Sequence, residues 1–160
     1  MSDFKFVLPP GVAGTLAGTP VADFMIGNTV SDVVSMEDYR EAYFLVILGD
    51  ATGGTATPTI TIIPSSTAAK TATTTAIPFQ YKRISATETE TAWVTASTLT
   101  CTAGDNQLYV VKVNAANLPD GYPYVYMNIV ETVDDPVLGG LVIMMANPRY
   151  NAADLETVTA

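Results

Sequence analysis

Histidine is absent from this chain, Cys101 is its only cysteine, and just 14% of its residues are charged. Histidine and cysteine supply most proton transfer near neutral pH, most transition-metal ligands and most activated nucleophiles, so the common catalytic designs are closed. A single cysteine forms no intrachain disulfide, so the fold is expected to stand without an oxidising compartment. No apolar run approaches the roughly 18 residues of a membrane-spanning helix, and the longest, Tyr43 to Leu48 and Leu141 to Ala146, are strand-sized. Long helical periodicity is missing as well, which excludes parallel βαβ units. Basic residues are few and scattered: Lys5, Arg40, Lys70, Lys82, Arg83, Lys112 and Arg149 stand against 16 acidic residues. Neutralising a phosphate backbone needs clustered cations, so neither nucleic acid nor membrane is an expected partner.

What is present is a threonine-, alanine-, valine- and tyrosine-rich chain of 160 residues with a net charge of −9, in which threonine alone occurs 23 times. That length fits one domain and is enough for a real core. A hydrophobic content of 48% with a mean hydropathy of +0.27 is high for a soluble monomer. Such an excess points to subunit interfaces. The negative balance keeps the chain soluble and suits a relatively basic protein surface as partner. The opening Met1-Ser2-Asp3-Phe4-Lys5 lacks the basic and apolar stretches of a signal peptide, so synthesis and folding in a cytoplasm are expected.

Residues 1–20 read as an extended N-terminal arm, because Pro9, Pro10, Gly11, Gly14, Gly18 and Pro20 punctuate them too often for a helix or a long strand. The arm still carries Phe4, Phe6, Leu8, Val12 and Leu16, which fit it to lie on a surface, its own domain's or a neighbouring subunit's, and to work as a clamp rather than to join the sheet. Residues 21–150 read as the folded domain and 151–160 as a tail. Strand signals fall near Ala22 to Ile26, Thr29 to Ser35, Arg40 to Leu48, Thr55 to Ile63, Thr73 to Ile84, Thr91 to Thr98, Gln107 to Asn114, Tyr122 to Thr132 and Gly140 to Asn147. Turn residues separate them, as at Pro119-Asp120-Gly121 and Asp134-Asp135-Pro136, and only Met36 to Glu41 could hold a helical turn. The expected fold class is all-β: a single antiparallel β-sandwich, jelly-roll-like, with an extended arm. Thr57, Thr59 and Thr61 alternate with Ile60 and Ile62, giving one wet and one dry face. Tyr43 to Leu48 and Leu141 to Ala146 are apolar on both faces, the mark of central strands covered on two sides, with some of the cover coming from another subunit.

Chemistry has few candidates. Glu131, Asp134 and Asp135 could serve a carboxylate hydrolase or a cation, but Asp-Asp-Pro is above all a turn. Gly53-Gly54 and Gly139-Gly140 lack the lysine and the helix of a phosphate loop. Tyr122, Tyr124 and Tyr126 stand at period two and would share one strand face, suited to packing or to stacking on sugar rings. No catalytic residue, cofactor or metal is expected, and the chain is read as a non-enzyme.

Several segments taken together, Ala76-Ile77-Pro78-Phe79-Gln80-Tyr81-Lys82, Trp93, Leu118-Pro119-Asp120-Gly121-Tyr122-Pro123-Tyr124-Val125, Gly140-Leu141-Val142-Ile143-Met144 and Pro148-Arg149-Tyr150, resemble the head decoration, or cement, proteins of tailed bacteriophages. The resemblance covers roughly residues 40–150 and brings no catalytic residue with it. It implies a structural virion protein on the capsid exterior, made in the host cytoplasm, with the major capsid protein as partner and a homodimer or homotrimer as the working unit. Phe4, Phe6, Leu8, Val12, Leu16, Tyr122, Tyr124, Tyr126, Arg149 and Tyr150 are then the candidate capsid or subunit contacts. A phage tail, fibre or head-spike module binding host glycan through the tyrosines is the alternative.

Overall fold

Thr, Val, Ile and Tyr dominate the runs between turns, and their branched or flat side chains pack well on a pleated surface. The computed structural model describes residues 5–7, 23–24, 28–51, 57–70, 75–87, 89–102, 105–131, 133 and 135–149. In chain order the strands are β1 (Lys5–Val7), β2 (Asn28–Val30), β3 (Val34–Ser35), β4 (Tyr39–Ala51), β5 (Thr59–Ser65), β6 (Phe79–Ile84), β7 (Val94–Ala96), β8 (Leu99–Thr100), β9 (Gln107–Asn114), β10 (Tyr124–Val130) and β11 (Val137–Pro148). A single 3₁₀ turn, Ala115–Asn117, is the one helical element among the described residues, capped by the Asn114 side chain, which accepts from the Ala116 N–H.

The strands form two antiparallel sheets, one six-stranded in the order β1-β11-β4-β9-β6-β7 and one five-stranded in the order β2-β10-β5-β8, with β3 also pairing β10. With β3 and the β6–β7 hairpin set aside, the first strand lies beside the last, and the last beside the third, in the sheet β1-β11-β4-β9. The second lies beside the seventh in the sheet β2-β10-β5-β8. That is the connectivity of a jelly roll, two Greek keys wrapped into a sandwich. The β6–β7 hairpin is an addition that widens the first sheet beyond β9. The expected all-β sandwich is therefore the fold.

Between the sheets lies one core. From the six-stranded sheet, Phe44, Val46, Tyr109, Val111, Ile143 and Met145 point inward, each at most 1% exposed; from the other, Ile60, Ile62, Val125, Met127 and Ile129 meet them at 0%. Every second residue of β5, β9 and β10 is buried in this way, as the two-residue period requires. Tyr109 carries the core's polar tip. Its hydroxyl donates to Gln107 Oε1 at 2.8 Å and accepts from the Thr102 N–H at 2.8 Å, so a buried phenol is fully used.

Four expectations need correction. Of the strand expected over Ala22 to Ile26, the described residues Asp23 and Phe24 form a bend and a turn, and the other three lie outside the described residues. Residues 5–7, read as part of a clamping arm, are the first strand of the roll, paired with β11 in the register Lys5↔Met145, Phe6↔Met144 and Val7↔Ile143. The prolines begin only at Pro9, after these residues, and an edge position asks hydrogen bonds of one side of the strand alone. The strand expected over Thr29 to Ser35 breaks at Ser31. There the side-chain hydroxyl donates to Asp32 O and accepts from the Met127 N–H, while Asp32 Oδ1 accepts from the Val33 N–H. The two local bonds within residues 31–33 compete with the ladder, and the Ser31 hydroxyl takes up a β10 N–H that a ladder carbonyl would otherwise accept. Finally, Met36 to Glu41 holds no helical turn: Glu37 and Asp38 form a bend and β4 starts at Tyr39.

Candidate interaction surface

The pairing register assembles the outer face of the six-stranded sheet row by row. One row reads Gly140, Ile47, Leu108 and Ile84 across β11, β4, β9 and β6; the next reads Val142, Leu45, Val110 and Lys82. A third reads Met144, Tyr43, Lys112 and Gln80, and the last, Ala146, Glu41 and Asn114. The face thus grades from wholly apolar at one end to polar at the other. Ile47 is 49% exposed and Leu138, beside the bulge that shifts the register between Val137 and Gly139, is 48% exposed. Leu45, Leu108, Val110, Val142 and Met144 are half-buried.

The charges on this face are paired. Lys112 Nζ lies 2.7 Å from Glu41 Oε1 and 5.8 Å from the centre of the Tyr43 ring; Tyr43 Oη donates to Glu41 Oε2 at 3.0 Å, and Asn147 Nδ2 donates to the same oxygen. Burial works to raise the Glu41 carboxyl, but the bonds from Lys112, Tyr43 and Asn147 outweigh it and hold Glu41 below the usual carboxylate value. The same carboxylate raises Lys112, and burial together with Glu41 raises Tyr43. On β6, Lys82 pairs with Glu90 and lies over the Trp93 ring at 5.1 Å. An acidic chain therefore carries one sheet face whose ionic groups cancel.

The five-stranded sheet presents a different exterior. Its outward rows hold Val130, Thr59, Asn28 and Thr100, then Asn128, Thr61 and Val30, then Tyr126 and Ile63. Threonine and asparagine hydroxyl and amide groups dominate it.

The sequence-predicted contacts fall in several places. Tyr124 and Tyr126 share the outer face of β10, where Tyr126 is 9% exposed and burial raises its hydroxyl pKa. Tyr122 leaves that row. It closes the turn in which its N–H donates to Pro119 O, with Gly121 at φ 82°, a type II turn that glycine alone fills without strain. Tyr122 and Arg149 instead meet on the wall of an open cleft of about 430 Å³ with Met36, Glu37, Leu118, Asp120 and Pro123. The Arg149 N–H donates to Asp38 O at 2.7 Å and fastens the end of β11 there. Phe6 lies on β1 opposite Met144; Phe4, Leu8, Val12, Leu16 and Tyr150 lie outside the described residues, as does the tail 151–160. Cys101 is buried at 2% exposure, and burial pushes its thiol up to about 12, which keeps it unreactive. Among the described residues, no group of three or more His, Cys, Asp or Glu side chains could hold a metal ion.

The contribution of β9 to the apolar face was missed in the sequence, because Lys112 and Gln107 interrupt its pattern. Leu108 and Val110 count as outward only once their register against Ile47 and Leu45 is known.

No protein-family model matches the sequence, and no characterised protein matches it. Among solved structures, the chain is similar to the crystal structure of the SPBc2 prophage-derived protein YomS, with a TM-score of 0.42 and 10% identity over 92% of this chain and 96% of that one. A likeness of this degree assigns no family.

Proposed function

We propose that this chain is a structural protein of a bacteriophage virion that binds the outer surface of the capsid and stabilises the shell. The observation that carries the reading is the graded apolar face of the six-stranded sheet, on a chain with a net charge of −9 whose face charges are paired. A protein whose task is to add contact area needs a rigid sheet, exposed apolar surface and no reaction centre. The head-decoration resemblance of residues 76–82, 118–125 and 140–144 favours the same role. In this role the partner is the major capsid protein, the working unit is a homo-oligomer, and the site of action is the capsid exterior. The acidic surface steers the protein toward a relatively basic shell, while apolar burial sets how long it stays.

The test is co-sedimentation of purified protein with shells of the encoding phage stripped of it. Saturable binding at a fixed ratio to the major capsid protein, with immunogold label over heads, is expected. Protein left in the supernatant with label on tails or fibres would overturn the reading.

A further inference from the structure

Three glycines stand where β4 and β11 meet at the apolar end of the outer face, and two of them have a reason within the chain. A Cβ on Gly139 would lie 2.8 Å from Ile47 O and 2.9 Å from Phe24 Cδ1; one on Gly49 would lie 2.9 Å from Leu138 O. Gly140 is different: it is buried, yet a Cβ there would meet nothing within 4 Å among the described residues, and its backbone is not in the left-handed region. A strand-interior glycine forgoes roughly 0.5–1 kcal/mol of strand stability and often marks a place where another body approaches closely. Above Gly140 lies a recess of about 160 Å³ lined by Ile47, Gly49 and residues 138–142, with almost wholly apolar walls. An apolar cavity of about 150 Å³ accommodates a benzene-sized group, so this one has room for a branched aliphatic side chain.

We propose that this recess is the centre of a two-fold interface between two copies of the chain, with Ile47 or Leu138 of each copy seated over Gly140 of the other. The inference rests on the homo-oligomer in the reading above and names its surface and symmetry. Two observations favour a second copy as the occupant. Knob and hole are neighbours on one patch: Ile47 is 49% exposed, Leu138 48%, and Ile47 is the register partner of Gly140. A self-complementary patch is what an isologous two-fold contact requires, whereas a trimer needs two different patches. In addition, two chains of net charge −9 repel, and they can meet closely only where local charge cancels. The row containing Gly140 and Ile47 carries no ionic group, and Lys82 and Lys112 on the rows beyond it are each paired with a glutamate; the carboxylate beside the recess, Asp50 next to Gly49, is exposed at the strand end and accepts from Asn106 Nδ2.

The test is light scattering coupled to gel filtration on the full chain and on Gly140→Val, with thermal melting measured at a concentration where both are monomeric. Valine suits a strand and its Cβ enters open space, so the variant should melt at or slightly above the parent temperature. The parent should run at twice 16.9 kDa, and the variant should show a dimer dissociation constant raised at least about 100-fold, because a filled hole rejects the knob. Ile47→Asp should do the same from the other side of the contact. A monomeric or trimeric parent, or a Gly140→Val dimer of unchanged affinity, overturns the proposal. So does a lowered melting temperature in Gly140→Val, which would mean that the chain's own residues fill the recess. Stripped shells separate this claim from the one it rests on, because the self-contact takes only the Gly140 end of the face and leaves the row of Val142, Leu45 and Val110 for the shell: a monomeric Gly140→Val that still binds shells supports the dimer contact and leaves the capsid role standing, and a parent dimer that ignores shells overturns the capsid role alone.

Discussion

The two outer faces of the sandwich share one core and one strand geometry, yet they are built for different surroundings. On the five-stranded sheet, Thr59, Thr61, Asn28 and Asn128 face outward, and Thr61 Oγ1 donates to Asn128 O at 3.5 Å. On the six-stranded sheet, the equivalent positions hold Leu45, Ile47, Leu108, Val110 and Val142. Burying one aliphatic side chain is worth roughly 1.5–3 kcal/mol, so leaving several half-exposed forgoes stability that a body covering this face would restore. Their inner faces are alike, so the difference marks a requirement of the outside, not of folding.

The inner faces give the largest expected effects. Phe44→Ala in one sheet and Ile62→Ala in the other each empty a fully buried site. Costs of about 3–5 and 2–5 kcal/mol are expected, read as loss of urea midpoint at unchanged slope. A large cost on one side only would show that the core is not shared. Next is Tyr109→Phe, which strips the Thr102 N–H of its acceptor and Gln107 Oε1 of a donor. It should cost about 1–3 kcal/mol and move no contact on either outer face.

A smaller effect belongs to the paired charges of the apolar sheet. Glu41 titrates below the ordinary carboxylate value of 4.5 in the folded chain, so its contribution is present above that value and is lost as pH falls through the folded pKa. Lys112 is raised above 10.5, so its share is present below that value and fades as pH rises through the folded one. Lys112→Met should flatten the acid limb of the stability profile by at most about 1 kcal/mol, because both side chains remain partly solvated. An unchanged acid limb would remove Lys112 from the account of Glu41. The smallest expected effect is on Cys101: a thiol reagent should leave it unmodified in the native chain and modify it at the rate of unfolding, through whichever sheet opens first. Rapid native labelling would place Cys101 outside the core.

Much of this contrast was legible in the residues. Alternation from Thr57 to Ile62 marked a wet face, and the doubly apolar runs Tyr43 to Leu48 and Leu141 to Ala146 marked central strands; β4 and β11 prove to be hydrogen-bonded neighbours, with Leu141 opposite Val46. The Pro119-Asp120-Gly121 turn was equally plain, since Gly121 needs its positive φ. What stayed hidden depends on pairing across the chain. Phe6 gains its place only from a partner more than a hundred residues away, and Tyr122 leaves the tyrosine row because the turn's own hydrogen bond overrides period two. Side-chain bonds at Ser31 and Asp32, two of them local and one to Met127, likewise cut a strand that composition alone would carry through. The recess over Gly140 is the extreme case, because one glycine of an adjacent pair is crowded and the other free, and their sequence context is the same.

The most direct test of the central claim is a matched pair of charge insertions, Ile47→Asp on the apolar exterior and Thr61→Asp on the polar one, each followed by sedimentation velocity over a range of concentrations. Both positions face outward, so the monomer fold should survive either change. Ile47→Asp is expected to abolish self-association while Thr61→Asp leaves it within about threefold of the parent, the scale of an ordinary surface substitution of up to about 0.5 kcal/mol. Equal losses in both variants, or a greater loss in Thr61→Asp, would contradict the claim.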